Sequence, residues 1–322
     1  MLRTKRLFLL GLIVLTLGIF TAPGIAAQNT WDTFWDGMET ALVALATNPT
    51  QAYFDTLYAP DFSNRDALFQ IYTAEANALS DMQVEYTIFI FQDARAAYQR
   101  VVTGIFSQPY AVGTITLPPT NAPVRWVTQG MMDVNDSGQI YADYAVTDGF
   151  AKFQDLNALQ LAPGQEHGQI GLAPYDANVD QPQENAPEWQ TDVVAEMAQL
   201  LTVDASGNDA ASPDFDPDQI VQFGFAAPRF SPAPEIRLDA TVAQDDWLAA
   251  YLTVITQPDT TIAVDILAQP LTAPDPLRIP GFVFLHANED SVIDRVFLNV
   301  DLLVITNQLQ INPTTLTLAP GE

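Results

Sequence analysis

The sequence contains no cysteine, only two histidines, and twelve basic residues against 39 acidic ones. The first absence excludes a thiolate nucleophile, thiolate-ligated zinc, iron–sulfur clusters and any disulfide. His167 sits in the polar run Q-E-H-G-Q and reads as a solvated side chain, while His286, near a hairpin turn, reads as a surface residue or a polar group of a pocket. Two histidines so placed support no Ser-His-Asp arrangement, and neither H-E-x-x-H nor G-x-x-x-x-G-K occurs. The run D-F-D-P-D at 214–218 resembles the start of a calcium loop, but Gln219 and Phe225 stand where that loop needs glycine and glutamate. No metal and no cofactor are therefore expected. The shortage of positive charge gives a net charge of −27, a surface that repels nucleic acid and anionic lipid and favours solubility.

Long apolar runs are also scarce. The one at Leu7–Phe20 follows Arg3, Lys5 and Arg6 and precedes Ala22-Pro23-Gly24 and Ala26-Ala27. It is short of the ~20 residues of a membrane span and reads as a signal peptide, 1–27, cleaved near Ala27. A secreted, periplasmic or cell-surface protein is expected, with no membrane association after cleavage. Beyond position 27 the sole lysine is Lys152.

What is present is ample core material, 48% apolar, arranged twice. Under a shift of 153 positions Pro60-Asp61-Phe62 falls on Pro213-Asp214-Phe215, Asp93 on Asp246, and Ala96-Ala97-Tyr98 on Ala249-Ala250-Tyr251. Farther on, Pro123, Arg125, Asn135, Ile140, Asp148 and Leu156 fall on Pro276, Arg278, Asn288, Ile293, Asp301 and Leu309. The pattern predicts an internal duplication, with domains at 28–162 and 189–312, a Pro/Gln/Asn-rich linker at 163–188 and a loose tail at 313–322. Each half opens with an amphipathic helix, Trp31 to Ala46 and Trp189 to Leu201, and continues into strands of period two. The first hairpins are Met82–Phe91 with Arg95–Thr103, and Ile236–Ala243 with Trp247–Ile255. The last pair Val124–Val134 with Gln139–Thr147, and Leu277–Ala287 with Val292–Val300; short helices follow at Phe150 to Leu156 and Leu302 to Leu309.

The motifs A-P-D-F at 59–62, S-D-M-Q-V at 80–84 and N-D-S-G-Q-I-Y-A-D-Y-A-V-T-D at 135–148 resemble the SnoaL-like polyketide cyclase, or ester cyclase, family of the nuclear-transport-factor-2-like superfamily. The second half offers P-E-I-R-L at 234–238, S-V-I-D-R-V-F-L-N-V-D at 291–301 and Gln308-Leu309. The resemblance implies an α+β fold of two tandem cone-shaped domains, each a curved antiparallel sheet wrapped on N-terminal helices. It also implies one pocket per cone and cofactor-free ring closure with an aspartate as general acid/base, at the motif positions Asp148 and Asp301. The family's usual Trp is replaced by Tyr144 and Phe297, its Glu by Ala142 and Arg295, and its G-T-H by Thr103-Gly104-Ile105.

A four-residue loop in the last hairpin would set Arg125 opposite Asp148, and Arg278 opposite Asp301. Such a pair is either a cross-strand ion pair or a carboxylate with a cationic neighbour at a pocket mouth. Alternation adds Val127, Gln129, Met131, Tyr144 and Val146 to the Asp148 face, and Phe282, Phe284, His286, Phe297 and Asn299 to the Asp301 face. These faces are the expected substrate-binding walls for a small apolar ligand. The opposite face of the second half, Ile279, Val283, Leu285, Val296, Leu298 and Val300, is wholly apolar and is expected to pack on the sheet of the first half as an intramolecular pseudo-dimer. The functional expectation is small-molecule binding with cofactor-free cyclisation, isomerisation or hydration. The alternative is a non-catalytic extracellular ligand-binding or interaction module.

Overall fold

Four helices and thirteen strands, in antiparallel sheets, make an α+β fold among the residues that the computed structural model describes: 28–112, 115–147, 149, 152, 156, 228–264, 267–287 and 293–311. The expected signal peptide, linker, second opening helix and tail lie outside these residues, as do Asp148 and the D-F-D-P-D run.

Helix α1 (Gln28–Thr47) buries Trp35, Met38, Leu42 and Leu45, a stripe at helical spacing. Thr50 caps α2 (Gln51–Leu57) by accepting from the Tyr53 amide, and α3 (Arg65–Ala78) follows. The helices cover one face of a sheet ordered β1-β2-β5-β6, built from β1 (Leu79–Gln92), β2 (Arg95–Phe106), β5 (Pro123–Val134) and β6 (Ile140–Thr147). A two-stranded ribbon, β3 (Tyr110–Val112) and β4 (Ile115–Leu117), lies between β2 and β5 in sequence. The Trp35 indole donates to the Asp93 carbonyl at 2.9 Å, tying α1 to the β1–β2 turn.

The second half has the same strand plan. Strands β8 (Glu235–Gln244), β9 (Trp247–Ile255), β12 (Arg278–Ala287) and β13 (Ile293–Val300) form a sheet ordered β13-β12-β9-β8, and α4 (Leu302–Gln308) follows. Strands β7 (Arg229–Ser231), β10 (Thr260–Ala263) and β11 (Leu271–Ala273) make a small third sheet.

The ladders correct the constant shift of 153. The last hairpins keep it, since Met131 pairs with Tyr144 and Phe284 with Phe297. The first hairpins match at 152 instead: Gln92 pairs with Arg95 and Gln244 with Trp247, and the turn residues with positive φ are Asp93 and Asp245. One residue reverses the face of every side chain. The position equivalent to Tyr98 is thus Ala250, not Tyr251, because Tyr98 pairs with Gly130 and Ala250 with Val283.

The expected inter-sheet contact is also reversed. Ile279, Val283, Leu285, Val296, Leu298 and Val300 lie in a core cluster with Ala250, Leu252, Val254, Leu303 and Ile305 of the same half, and that cluster continues into Val102, Phe106, Tyr110 and Trp126 of the first half. The faces that meet are the other pair: Ile90, Ala97, Met131 and Val146 pack on Ala240, Val242, Ala249, Tyr251, Phe282 and Phe284. Alternation tells which residues share a face but not which face turns inward. The seam is stitched by polar groups. The Asn299 side-chain amide donates to the Val146 carbonyl at 2.9 Å, and the Phe91 amide donates to Gln244 Oε1 at 2.8 Å. Gln129 Nε2 donates to Gln99 Oε1 at 2.8 Å and to the Phe297 carbonyl at 3.3 Å. Asn299→Ala takes a donor from a buried carbonyl and is expected to cost about 1–3 kcal/mol. Equilibrium urea unfolding checks this, and an unmoved midpoint contradicts it.

Candidate functional site

Alternation along β2 sends Tyr98, Arg100 and Val102 to the helix-covered side of the first sheet; Trp126, Gly130 and Met132 on β5 and Asp143 on β6 join them through the ladder. An irregularity in β1 between Tyr86 and Ile88 lets both Tyr86 and Phe89 face the same way. The interior so formed is aromatic: Tyr58, Tyr72, Tyr86 and Tyr98 are all buried, and rings of Phe54 and Tyr58 stack at 4.4 Å.

Two polar centres sit in this interior. In the first, Glu75 of α3 accepts from Arg100 Nη2 and Lys152 Nζ, each at 2.6 Å, with all three side chains buried. Burial opposes the charge on Glu75, but the two cations outweigh it and hold the pKa at about 2. Lys152 Nζ lies 4.7 Å from the Trp126 ring centroid and 5.4 Å from that of Tyr110, and the Arg100 guanidinium lies 5.0 Å from that of Tyr72. In the second, the Tyr98 hydroxyl donates to Asp143 Oδ1 at 2.8 Å. Burial raises the Asp143 pKa to about 7; the Tyr98 hydrogen bond and the Arg100 charge pull the other way without overcoming it. The Tyr58 and Tyr72 hydroxyls approach within 3.3 Å, and burial raises both phenols.

Gly130 makes room for the second centre. A Cβ there would lie 2.6 Å from both Cζ and the hydroxyl of Tyr98. Gly130→Ala is expected to push the phenol off Asp143 and to cost about 1–3 kcal/mol by overpacking. A shifted Asp143 titration together with a lowered urea midpoint is the expected readout; wild-type values for both contradict it.

The second sheet has no equivalent centre. The positions matching Tyr98, Arg100, Trp126 and Asp143 are Ala250, Leu252, Ile279 and Val296, all buried and apolar.

The residues expected from sequence are placed elsewhere. Asp148 lies outside the described residues. Asp301 caps α4, accepting from the Leu303 amide at 2.8 Å. The observed register differs from the expected one: Arg125 pairs with Thr103 on β2, the β5–β6 ladder ends at Thr128 and Thr147, Arg278 pairs with Ile255, and Gly281 faces Val300. Two one-residue displacements are the reason: Val134 pairs with Ile140 rather than Gln139 and Ala287 with Ile293 rather than Val292, and a register shift beside each turn, between Asp133 and Val134 and between His286 and Ala287, adds the second. Arg125 and Arg278 are exposed. Gln129, Met131, Phe282, Phe284 and Asn299 are buried, with Tyr144 and Phe297 half-buried, because the two sheets cover one another there. His286 pairs with Asp246 at 2.8 Å and has its ring 4.8 Å from that of Trp247.

Glu75, Arg100, Asp143 and Lys152 were not among the residues expected. Lys152 carried a usable signal, as the sole lysine after Lys5 in so acidic a chain. Among the described residues no cluster of His, Asp and Glu could hold a metal ion. A surface cleft of about 390 Å³, lined by Gln92, Asp93, Arg95, Asp133, Tyr141 and Thr241 among others, is separate from the interior; Arg95 and Asp133 pair there at 2.5 and 2.9 Å.

The site is a tyrosine-lined interior in an antiparallel α+β fold, with a carboxyl group that titrates near neutrality and a buried ion triad. No family model matches the sequence, and no curated protein matches it. Solved structures are similar over about two-fifths of the chain. A SnoaL-like polyketide cyclase from Agrobacterium tumefaciens str. C58 is 14% identical with a TM-score of 0.28, covering 39% of this chain and 94% of that one. A candidate SnoaL-like polyketide cyclase from Jannaschia sp. CCS1 is 16% identical with a TM-score of 0.33, covering 39% and 93%. TsrD from Streptomyces laurentii is 11% identical with a TM-score of 0.34, covering 42% and 99%.

Proposed function

We propose that this is a secreted SnoaL-like protein, made by tandem duplication, whose first cone binds a small apolar molecule and moves a proton on it without a cofactor. In this reading the two sheets form an intramolecular pseudo-dimer and the second cone, filled by its own apolar side chains, is a scaffold. The supporting observation is Asp143, a carboxyl group buried among aromatic rings, held by Tyr98 and poised near neutrality. A base for a carbon acid needs a pKa raised by burial, and Asp143 has that environment. Asp143 as carboxylate takes the proton α to a carbonyl. The C–H electron pair becomes the enolate double bond, the carbonyl oxygen takes the negative charge, and the proton returns to carbon at the end of an isomerisation or cyclisation.

Proton exchange tests this without knowledge of the natural substrate. With 2-tetralone in D₂O, proton NMR is expected to show faster loss of the α-proton signal in the presence of the protein, rising as pH passes through about 7. Asp143→Asn is expected to lower that acceleration by about 100-fold or more, within the usual contribution of a general base. Equal rates with wild type and variant contradict the proposal.

A further inference from the structure

Among the described residues, the buried charges around Lys152 do not cancel. Arg100 and Lys152 face one permanent carboxylate, Glu75, and Asp143 is neutral whenever the pH lies below its titration. The unsatisfied hydrogen-bonding groups are just as one-sided. Arg100 Nε, Trp126 Nε1 and the Tyr110 hydroxyl are buried with no hydrogen-bond partner, and all three can donate. Lys152 lies close enough to Tyr110 for its charge and its ammonium to favour the ionised phenol, though the contact falls short of full hydrogen-bond geometry at that hydroxyl. The one other orphan atom among the described residues, Gln129 Oε1, is an acceptor on the opposite face of the sheet.

Buried donors left unmade cost about 1–3 kcal/mol each, so a cluster of them beside surplus positive charge needs a physical reason. Water can satisfy the hydrogen bonds but not the charge. A cation is repelled. A carboxylate satisfies both, accepting from the three donors while balancing the second cation, and charge-assisted bonds of this kind are the strong ones. The surrounding Tyr72, Tyr110 and Trp126 rings suit an apolar body behind it. The cost of placing the sole lysine after Lys5 inside the protein rather than on its acidic surface fits a demand for positive charge at this spot.

We infer that the pole of the first cone formed by Arg100, Lys152, Trp126 and Tyr110 binds the carboxylate of a small organic acid with an apolar body. The inference rests on the reading of the cone as a ligand site and names the class of ligand. The second cone has Leu252 and Ile279 at the positions of Arg100 and Trp126, so one acid is bound per chain.

The test is titration of the full chain with benzoate and with benzyl alcohol, its neutral counterpart, at pH 6, by calorimetry and by tryptophan fluorescence. Benzoate is expected to bind at least tenfold more tightly, in a stoichiometry of one. Lys152→Met is expected to lose that preference and Lys152→Arg to keep it; the wild-type comparison of the two probes stands whether or not either variant folds. Benzyl alcohol binding as well as benzoate overturns the carboxylate assignment and leaves the cone as a ligand site. Two benzoates per chain, or an unchanged preference in a folded Lys152→Met protein, also overturns it. No binding of either probe at millimolar concentration overturns both this inference and the reading it rests on.

Discussion

Glu75→Gln is expected to destabilise the protein by about 3–5 kcal/mol, the effect of removing one partner from a buried ion group. The triad is strongly interdependent. Glu75 accepts from Arg100 on one oxygen and from Lys152 on the other, all behind the helix layer, and no other carboxylate is hydrogen-bonded to either cation in the described network. An amide at position 75 keeps the shape and one acceptor but leaves two like charges buried side by side. Adding Lys152→Met removes one of them, so the double variant is expected to recover part of the loss. Equilibrium urea unfolding at pH 7 measures both, and a loss below 1 kcal/mol for Glu75→Gln contradicts the account. The same group gives an acid limb. Its folded pKa of about 2 lies below its ordinary value of 4.5, so its stabilisation, on the order of 3 kcal/mol, is complete above pH 4.5 and is lost as pH falls toward 2.

Asp143→Asn is expected to do the reverse and stabilise the protein by about 2–4 kcal/mol at pH 8, while changing little at pH 4. Asp143 titrates near 7 in the folded chain against an ordinary 3.8, so the folded state holds a proton that the unfolded state releases. Stability therefore falls as pH rises from about 4 through 7, and at pH 8 an ionised carboxylate sits buried at a cost on the order of 4 kcal/mol. Asparagine keeps the contact with Tyr98 and has no charge to bury. Urea unfolding of both proteins at pH 4 and pH 8 gives the comparison. A variant no more stable than wild type at pH 8 would falsify the assignment of a buried, neutral-range carboxyl. Stability lost by keeping an acid at position 143 is the kind of cost a site with proton chemistry carries.

The strands were legible from period-two alternation and the last helix from its pattern, and α1 from its apolar stripe. The side chains sharing a face with Met131 and with Phe284 were also read correctly, because the register error in the last hairpins is two residues, which preserves the face. The same arithmetic failed in the first hairpins, where an error of one matched Tyr98 with Tyr251 and so hid the apolar character of the matching positions in the second sheet. The site was missed for a different reason. In the first half the helix-covered face carries Trp126, Thr128, Met132 and Asp143, and the seam face carries Gln129, Met131 and Tyr144; both mix apolar and polar residues, so pattern gives no inward direction. Only tertiary packing of α1 to α3 decides it. Glu75 and Arg100 lie on different elements, 25 positions apart, and nothing local marks them as partners.

The Asn299 and Gln129 bonds across the seam join two sheets of one polypeptide. Two separate subunits held by such a surface would part on dilution. Here each half meets the other at an effective concentration set by the intervening chain, whatever the amount of protein outside. Both halves are also inherited together, so an altered seam residue on one sheet can be matched by a change on the other without a second copy of the gene keeping step. An assembly that cannot dissociate can tolerate unlike halves, one with polar groups buried at Arg100 and Asp143 and the other with Leu252 and Val296 at the matching positions.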